Sequence, residues 1–224
     1  MIAAPSPNFG PRPAGLPIDM LVLHYTGMDS GAAALERLRD PAAQVSAHYL
    51  IEEDGRVFAL VAEEARAWHA GVAHWRSGND VNSRSIGIEL VNPGHDFGYR
   101  PFPAAQRAAL TALARGLLAR HPIPPRNVVG HADVAPRRKQ DPGELFDWAG
   151  LAAAGVGLWP RADAAPPVAD MAAALAAYGY DTADPVAAIA AFQRHFRPAR
   201  VDGAADDECR ALLAHLLRLA EEKN

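Results

Sequence analysis

A segment near the middle of the chain, VVGHADVAPRRKQDPG at residues 128–143, contains an imidazole and a carboxylate ten positions apart, His131 and Asp141. Histidine is the commonest metal ligand, and hydrolytic zinc sites usually take three protein ligands and leave a fourth position for water. His24 and Glu89, in two earlier apolar stretches, are candidates for the third ligand and the general base. The spacing alone is common, so it leaves open that His24 is a core imidazole and that Asp141 caps a turn.

The elements that would position these side chains alternate along the first 160 residues. The apolar run at 20–25 predicts a buried strand with Val22 and His24 on one face. The run at 85–91 predicts a second strand, in which Glu89 needs a partner because an unpaired buried charge is costly. The other predicted elements are an irregular N-terminal arm (1–17) without ladder bonds, a helix capped by Ser30 (31–39), a hairpin (47–51 and 57–61), a loop or short strand (67–71), a helix (103–120), and a brief strand (128–129) leading into a non-helical, extended segment to residue 143. This order predicts an α/β fold with a mixed central β-sheet flanked by helices.

The composition changes after residue 150, where LAAAGVGLWPRADAAPP is rich in Ala, Gly and Pro. We therefore expect a first domain at 1–160, a linker at 161–167 and a small C-terminal domain at 168–224. The last region has three helical patterns, and Asp184-Pro185 is a typical start for the second of them. Fewer than sixty residues make this region marginal as an independent fold.

Charge and composition exclude several classes of protein. The 22 basic and 26 acidic residues give a net charge of −4, which favours neither nucleic acid nor an acidic membrane as a partner. With one cysteine, Cys209, neither an intrachain disulfide nor a cysteine-based zinc site is expected. We expect no membrane span, since no run approaches ~20 apolar residues. The N-terminus lacks the pattern of a secretory signal, so we expect a cytoplasmic protein, or a periplasmic one if a leader was removed.

Five motifs in order carry a family resemblance. They are LHYTG (23–27), SAHYLI (46–51), AWHAG (67–71), SIGIELVNPG (85–94) and VGHADVAPRRKQDPGELFDW (129–148). Together they resemble the zinc-dependent N-acetylmuramoyl-L-alanine amidases of the amidase type 2 family, which includes AmpD and AmiD. The resemblance covers residues 18–160 and implies the α/β fold that these amidases share with peptidoglycan-recognition proteins.

By position, the resemblance implies one zinc ion per chain, with His24, His131 and Asp141 as its ligands. It implies that Glu89 takes a proton from the zinc-activated water and passes it to the leaving amine. It also implies that Lys139 stabilises the oxyanion of the tetrahedral intermediate.

Lys139 is the last of three cations at 137–139, and a charge run is usually solvated, which is the alternative for this residue. In an extended segment residues two apart face the same side, so Lys139 and Asp141 would both point into one site.

Six further residues are candidates for substrate contacts: Tyr25, Trp68, His69, Asn82, Arg84 and Ala132. Trp68 and His69 would wall the groove, since aromatic faces suit sugar rings, although burial explains Trp68 almost as well. Asn82 and Arg84 would bind the acidic stem peptide or belong to a solvated loop. For His48 we favour a structural role in the sheet.

The C-terminal region carries a second resemblance. LAAYGYD (175–181) and AIAAFQRHFRPARVDGAAD (188–206) resemble the three-helix peptidoglycan-binding module that often follows such amidases. The alternative is a helical appendage that stabilises the first domain.

The expected function is hydrolysis of the amide bond between N-acetylmuramic acid and L-alanine, in peptidoglycan or in anhydro-muropeptides. One alternative is a non-catalytic peptidoglycan-recognition protein, but members of that class lose zinc ligands that are all present here. A regulator that binds another enzyme is a third class. The missing leader favours anhydro-muropeptides as the substrate, whereas the C-terminal module favours the intact wall.

Overall fold

A computed structural model of the chain describes residues 1–76 and 78–222. The strands are β1 (Ile2–Ala3), β2 (Phe9–Pro11), β3 (Met20–Tyr25), β4 (Tyr49–Ile51), β5 (Val57–Ala59), β6 (Ala65–Ala67), β7 (Ser85–Leu90) and β8 (Val128–Gly130). The helices are α1 (Gly31–Arg39), α2 (Val81–Arg84), α3 (Gly94–Phe97), α4 (Ala104–Arg120), α5 (His131–Val134), α6 (Trp148–Ala153), α7 (Met171–Tyr178), α8 (Pro185–Phe196) and α9 (Asp207–Glu222). Short 3-10 helices lie at Pro41–Ala43, Pro125–Asn127 and Ala162–Ala164.

Six of the strands form one mixed sheet in the order β1-β5-β4-β7-β3-β8. Strand β3 pairs in parallel with β7 on one side and with β8 on the other, and β4 is parallel to β7. The predicted hairpin is present as the antiparallel pair β4 and β5. The predicted mixed sheet flanked by helices is confirmed.

The two faces of β3 separate two hydrophobic cores, as its alternating pattern predicts. Leu21 and Leu23 pack in a core with the buried side chains of α4, such as Leu110. Met20 and Val22 pack on the opposite face in a second core. His24 follows on this second face, so the face that carries the predicted ligand is apolar at its start and polar at its end.

The C-terminal helices complete the second core. Leu175 of α7, Phe192 of α8 and Leu213 of α9 are fully buried in the same cluster as Val22 and Trp75. Burying a Leu or Phe side chain of this kind stabilises the fold by roughly 1.5–3 kcal/mol. The three predicted C-terminal helices are present, and their apolar side chains are buried in this shared core.

Two expectations about the chain were wrong. The N-terminal arm does form ladder bonds, because β1 pairs in parallel with β5 and β2 pairs with β6. Its prolines are tolerated since both strands are short and lie at sheet edges. The segment after β8 is not extended, because His131 opens the helical turn α5 and further turns follow at 136–138.

The segment expected to be a linker, residues 161–167, packs against α9. The Arg161 amide donates to Nδ1 of His215, and Arg218 donates to the Ala164 carbonyl. Among the described helices, none is long and apolar enough to cross a bilayer.

Candidate active site

The carboxyl ends of three parallel strands bring the predicted catalytic side chains to one edge of the sheet. His24 on β3 lies directly opposite Glu89 on β7 in the register of the two strands. His131 is the first residue after β8, on the other side of β3. The ends of adjacent parallel strands are where α/β sheets place their sites. Residues separated by more than one hundred positions therefore become neighbours.

Three donor atoms converge at this edge. Nδ1 of His24 lies 3.0 Å from Nδ1 of His131, and Oδ2 of Asp141 lies 3.1 Å from each of these nitrogens. All three residues are buried, and together they form a group able to hold a metal ion. Two imidazoles and one carboxylate are a donor set that zinc takes in hydrolytic sites. The three predicted ligands fit a zinc ion.

The protonation states of the ligands also suit a metal. Burial, together with the charge of His131, lowers the pKa of His24 to about 4, so this imidazole is neutral at pH 7. Burial raises the pKa of Asp141, but the charge and hydrogen bond of His131 outweigh it and lower that pKa overall. Metal ligands must be deprotonated to bind, and both groups meet that condition near neutral pH.

A chain of hydrogen bonds fixes the tautomer of His24. The Ser85 hydroxyl donates to the Val81 carbonyl over 2.6 Å, so its oxygen accepts from Nε2–H of His69 over 3.1 Å. Nδ1 of His69 is then an acceptor and receives Nε2–H of His24 over 3.0 Å. The lone pair of His24 Nδ1 is therefore left for the metal side.

The loop 67–71 supports both histidines predicted to be ligands. Its Ala70 carbonyl accepts from Nε2–H of His131 over 3.1 Å, which leaves Nδ1 of His131 for the metal. Oδ1 of buried Asn82 accepts from the amides of His69 (3.1 Å) and Ala70 (2.9 Å) and so holds the loop.

The ring of His69 also packs directly against β7, where Gly87 allows the close approach. A Cβ atom at position 87 would lie 2.4 Å from Cγ of His69. Only glycine accommodates the ring at that position.

Glu89 combines burial with an unpaired oxygen. Its Oε2 is buried and has no hydrogen-bond partner among the described residues, although the residue as a whole is partly exposed. Burial, and then the charge of Asp141, raise the pKa of Glu89 well above its ordinary value, while Lys139 acts to lower it. A carboxyl with a raised pKa suits a group that accepts and returns a proton near neutral pH.

The three cations at 137–139 have different surroundings. Arg137 forms an ion pair with Asp181 (3.0 Å), and Arg138 donates to the carbonyls of Ala70 and Val72. Lys139 lines the cleft with Glu89, and within the described part of the chain it has no salt-bridge partner. Lys139 is thus the cation that remains available to substrate.

The cleft itself has a volume of about 380 Å³ and lies between α1 and the segment 138–141. The three ligands, Glu89 and Lys139 all line it, with Tyr25 and Trp68 among its walls. A larger groove of about 960 Å³ lies on the other side of Arg138, but it contains neither the ligands nor Glu89. The chemistry therefore belongs to the smaller cavity.

The sequence profile described as N-acetylmuramoyl-L-alanine amidase, Amidase_2, matches residues 14–144, more than half of the chain. The chain belongs to this family. Membership of the amidase family supports a catalytic protein over the non-catalytic recognition protein kept as an alternative above.

Relatives of this amidase extend the likeness over nearly the whole chain. It is 42% identical over 230 residues to the N-acetylmuramoyl-L-alanine amidase AmiD of Escherichia coli K12, covering 89% of this chain and 82% of AmiD. The solved complex of E. coli AmiD with anhydro-N-acetylmuramic acid-L-Ala-D-gamma-Glu-L-Lys superposes with a TM-score of 0.82 over 92% of this chain and 91% of that one. AMPDH3 of Pseudomonas aeruginosa in complex with anhydromuramic pentapeptide is 37% identical, with a TM-score of 0.83 over 95% and 96% of the two chains.

The predicted substrate contacts of the amidase fall into two groups. Tyr25 and Trp68 line the cleft, and the Tyr25 hydroxyl lies 2.9 Å from Nδ1 of His95. His69 also borders the cleft, but both of its ring nitrogens are taken by His24 and Ser85.

The other three candidates do not line the cleft. Asn82 is buried beneath the loop 67–71, and Arg84 pairs with Asp19 through two contacts of 2.5 and 2.8 Å. Ala132 is buried, and its amide donates to the Asp141 carbonyl (2.9 Å). Asn82 and Ala132 therefore support the site from outside it.

Sequence reasoning missed Ser85 and favoured a structural role for His48. Ser85 shares a face with Gly87 and Glu89, so the alternation of β7 carried the signal that its hydroxyl points toward the site. His48 accepts from the Gly87 amide (2.9 Å) and contacts Arg12 (2.9 Å), which agrees with that structural role.

Proposed function

We propose that this chain is a zinc-dependent amidase that cleaves the bond between the lactyl group of N-acetylmuramic acid and L-alanine, with anhydro-muropeptides as its preferred substrates. The observation that carries the proposal is the convergence of His24, His131 and Asp141 beside Glu89. Three ligands and a neighbouring unpaired carboxyl are the parts that a zinc amidase requires.

The donor set, its burial and its protonation states support zinc as the metal held by these three residues. When bound, zinc supplies a Lewis acid that polarises the substrate carbonyl and lowers the pKa of a water molecule toward ~7. The hydrogen bonds that His24 donates to His69 and that His131 donates to the Ala70 carbonyl keep both imidazoles in the ligand tautomer.

The other site residues have separate roles. Glu89 accepts the proton of the attacking water and returns it to the amide nitrogen, so that the amine leaves neutral. The ammonium of Lys139 stabilises the negative charge that develops on the carbonyl oxygen. Tyr25 and Trp68 form walls against which the sugar and the first residues of the stem peptide can pack.

Anhydro-muropeptides are favoured because the AmiD and AMPDH3 structures similar to this chain hold anhydromuramyl peptides. Each of these comparisons covers more than nine-tenths of the chain, so it includes most of the C-terminal helices. Glycan binding by those helices and the cytoplasmic location stay predictions.

Product analysis by mass spectrometry tests the proposal. The zinc-loaded protein is incubated with anhydro-muropeptides and, separately, with intact sacculi, and Glu89→Gln serves as the matched control. We expect free stem peptide from the anhydro-muropeptides at the higher rate, and none after chelation. Zinc binding without release of stem peptide from either substrate would overturn the amidase assignment, whereas faster release from sacculi would overturn the substrate preference alone.

A further inference from the structure

A buried carboxylate joins the ligand segment to the C-terminal helices. Oδ2 of Asp133 accepts from the Gly130 amide (2.7 Å) and from Nδ1 of His195 (2.7 Å), while its Oδ1 accepts from the Tyr180 hydroxyl (2.6 Å). Asp133 is 1% exposed, Tyr180 2% and His195 4%. Each of the two side chains that reach Asp133 lies more than forty positions further along the chain.

Asp133 belongs to the same helical turn as a metal ligand. It is the third residue of α5, and its bond back to the Gly130 amide closes the first turn of that helix around His131. A side chain that binds the amide before a helix in this way fixes where the helix begins. The orientation of Asp133 therefore helps to set the position of His131.

The two partners of Asp133 are themselves held rigidly. The ring of His195 is stacked between Trp148 (centroids 3.7 Å apart) and Phe196 (3.8 Å apart). Tyr180 packs edge-on against Trp75 with ring centroids 5.2 Å apart. These contacts leave both donors few alternatives to their bonds with Asp133.

Polar contacts from the same region reach the rest of the segment 131–141. Arg194 of α8 donates to Oε1 of Gln140 (3.2 Å), the residue between Lys139 and the ligand Asp141. Asp181 forms the ion pair with Arg137. The C-terminal region therefore contacts the segment before, within and after the turn that leads to Lys139.

From these contacts we propose that Tyr180 and His195 are positioning residues of the metal site, which act on the ligand His131 through Asp133. The C-terminal helices would then be a structural part of the catalytic centre, whether or not they also bind glycan. This inference rests on the proposed function, because it takes the three converging donors to be a zinc site.

Removal of the Tyr180 hydroxyl is expected to weaken zinc binding. Without the Tyr180 hydroxyl, Oδ1 of Asp133 would be a buried carboxylate oxygen lacking its partner, which costs more than the bond itself contributes. Asp133 can recover a partner only by turning away from the Gly130 amide, which loosens the turn that holds His131. Mutation of outer partners of metal ligands typically costs 10–100-fold in metal affinity, and for this more remote link we expect about tenfold.

Two tyrosines provide a matched pair of variants. Tyr180→Phe removes the hydroxyl that binds Asp133. Tyr178→Phe removes the hydroxyl of a tyrosine in the same core, which makes no hydrogen bond to a described residue. Zinc affinity is measured in the full chain by competition with a chromophoric chelator, and the visible spectrum of the Co²⁺ form reports on ligand geometry. Thermal melting of the metal-free proteins controls for folding.

We expect Tyr180→Phe to weaken zinc binding about tenfold and to shift the Co²⁺ spectrum, while Tyr178→Phe matches the wild type. A second pair isolates the His195 bond, because Asn can still donate from its amide and Leu cannot. His195→Asn and His195→Leu both lose the stacked ring, so a difference between them belongs to the donated bond. We expect His195→Asn to bind zinc more tightly than His195→Leu.

Equal zinc affinities and Co²⁺ spectra in the two tyrosine variants would overturn the positioning role, as would equal affinities in the two His195 variants. A wild-type protein that fails to bind zinc would instead remove the proposed function, so the two failures are distinguishable.

Discussion

Nε2 of His24 lies 3.0 Å from Nδ1 of His69, and this contact connects a predicted metal ligand to the motif AWHAG, more than forty residues away in the chain. The ring of His69 is a relay between a ligand and the Ser85 hydroxyl. These contacts suit a residue that orients His24, in addition to the groove wall that the sequence predicts.

Replacing His69 by Phe is expected to weaken zinc binding by about 10–100-fold, because Nε2–H of His24 loses its acceptor while the volume of the ring is kept. Isothermal titration of zinc into the metal-free protein measures the zinc affinity. His74→Phe, a change in the adjoining loop segment, is the matched control and should bind zinc as the wild type does. Unchanged affinity in His69→Phe would show that the relay is dispensable.

Glu89→Gln is expected to retain zinc and to lose about 10²–10⁴-fold in kcat, since an amide cannot carry the proton from water to the leaving nitrogen. Steady-state rates on an anhydro-muropeptide measure the loss in kcat. The zinc content of the same sample shows whether the metal is retained. Turnover near the wild-type rate would remove Glu89 from the mechanism.

The same variant carries a prediction about stability and pH. The pKa of Glu89 is raised above its ordinary value of 4.5, so in metal-free protein its carboxyl stays protonated in the fold while the unfolded chain ionises. The wild type therefore loses stability relative to Glu89→Gln as pH rises above about 4.5. Melting temperatures of the two chelated proteins should coincide near pH 4 and diverge by pH 7, with Glu89→Gln the more stable. A difference in melting temperature that stays constant from pH 4 to pH 7 would contradict the raised pKa of Glu89.

The basic run at 137–139 offers a direct test of which cation acts. Lys139→Met is expected to lower kcat by about 10²–10³-fold with a smaller change in KM, because the ammonium would act mainly on charge that develops in the transition state. Arg137→Met removes a cation already paired with Asp181 and should leave kcat near that of the wild type. If the two variants lose activity equally, the overall positive charge of the run 137–139 would be responsible, and not the position of the Lys139 ammonium.

Asn82→Ala is expected to destabilise the protein by about 1–3 kcal/mol, because two buried amides of the loop 67–71 lose their acceptor. The loop carries His69, which contacts His24, and Ala70, which contacts His131. Zinc affinity should therefore fall when the loop loses this support. Urea unfolding and zinc titration measure the two effects. Asn79→Ala, at an exposed position, is the control, and similar losses in both variants would argue against a specific support of the loop.

The sequence was sufficient for the inner strands of the sheet because local patterns specified them, whereas the edge strand β1 was missed in the proline-rich arm. The alternation of β3 and the apolar run of β7 predicted both faces and placed His24 and Glu89 on them. Their pairing could not be derived from those patterns, because the register joins segments more than sixty positions apart. The metal-ligand set was predicted from the family motifs, since spacing alone did not exclude ordinary core and turn residues.

Other parts of the site lay beyond sequence reasoning for physical reasons. The helical turn at His131 was missed because Asp133 and the C-terminal side chains stabilise a four-residue helix whose local sequence contains nothing that requires one. Asn82 and Arg84 are polar residues before the strand that carries Glu89. Only the tertiary contacts reveal that Asn82 accepts from loop amides and that Arg84 pairs with Asp19.

Gly87 illustrates how far the chemistry of this protein extends beyond residues with functional groups. Because a methyl group at this position would displace the His69 ring, its effect would pass along the relay to His24. In a saturation mutagenesis screen scored by cell-wall turnover, position 87 should therefore tolerate as few replacements as a ligand position does. An inactive variant at Gly87 would be recognised by its impaired zinc retention, a loss caused by a residue that offers the metal nothing to bind.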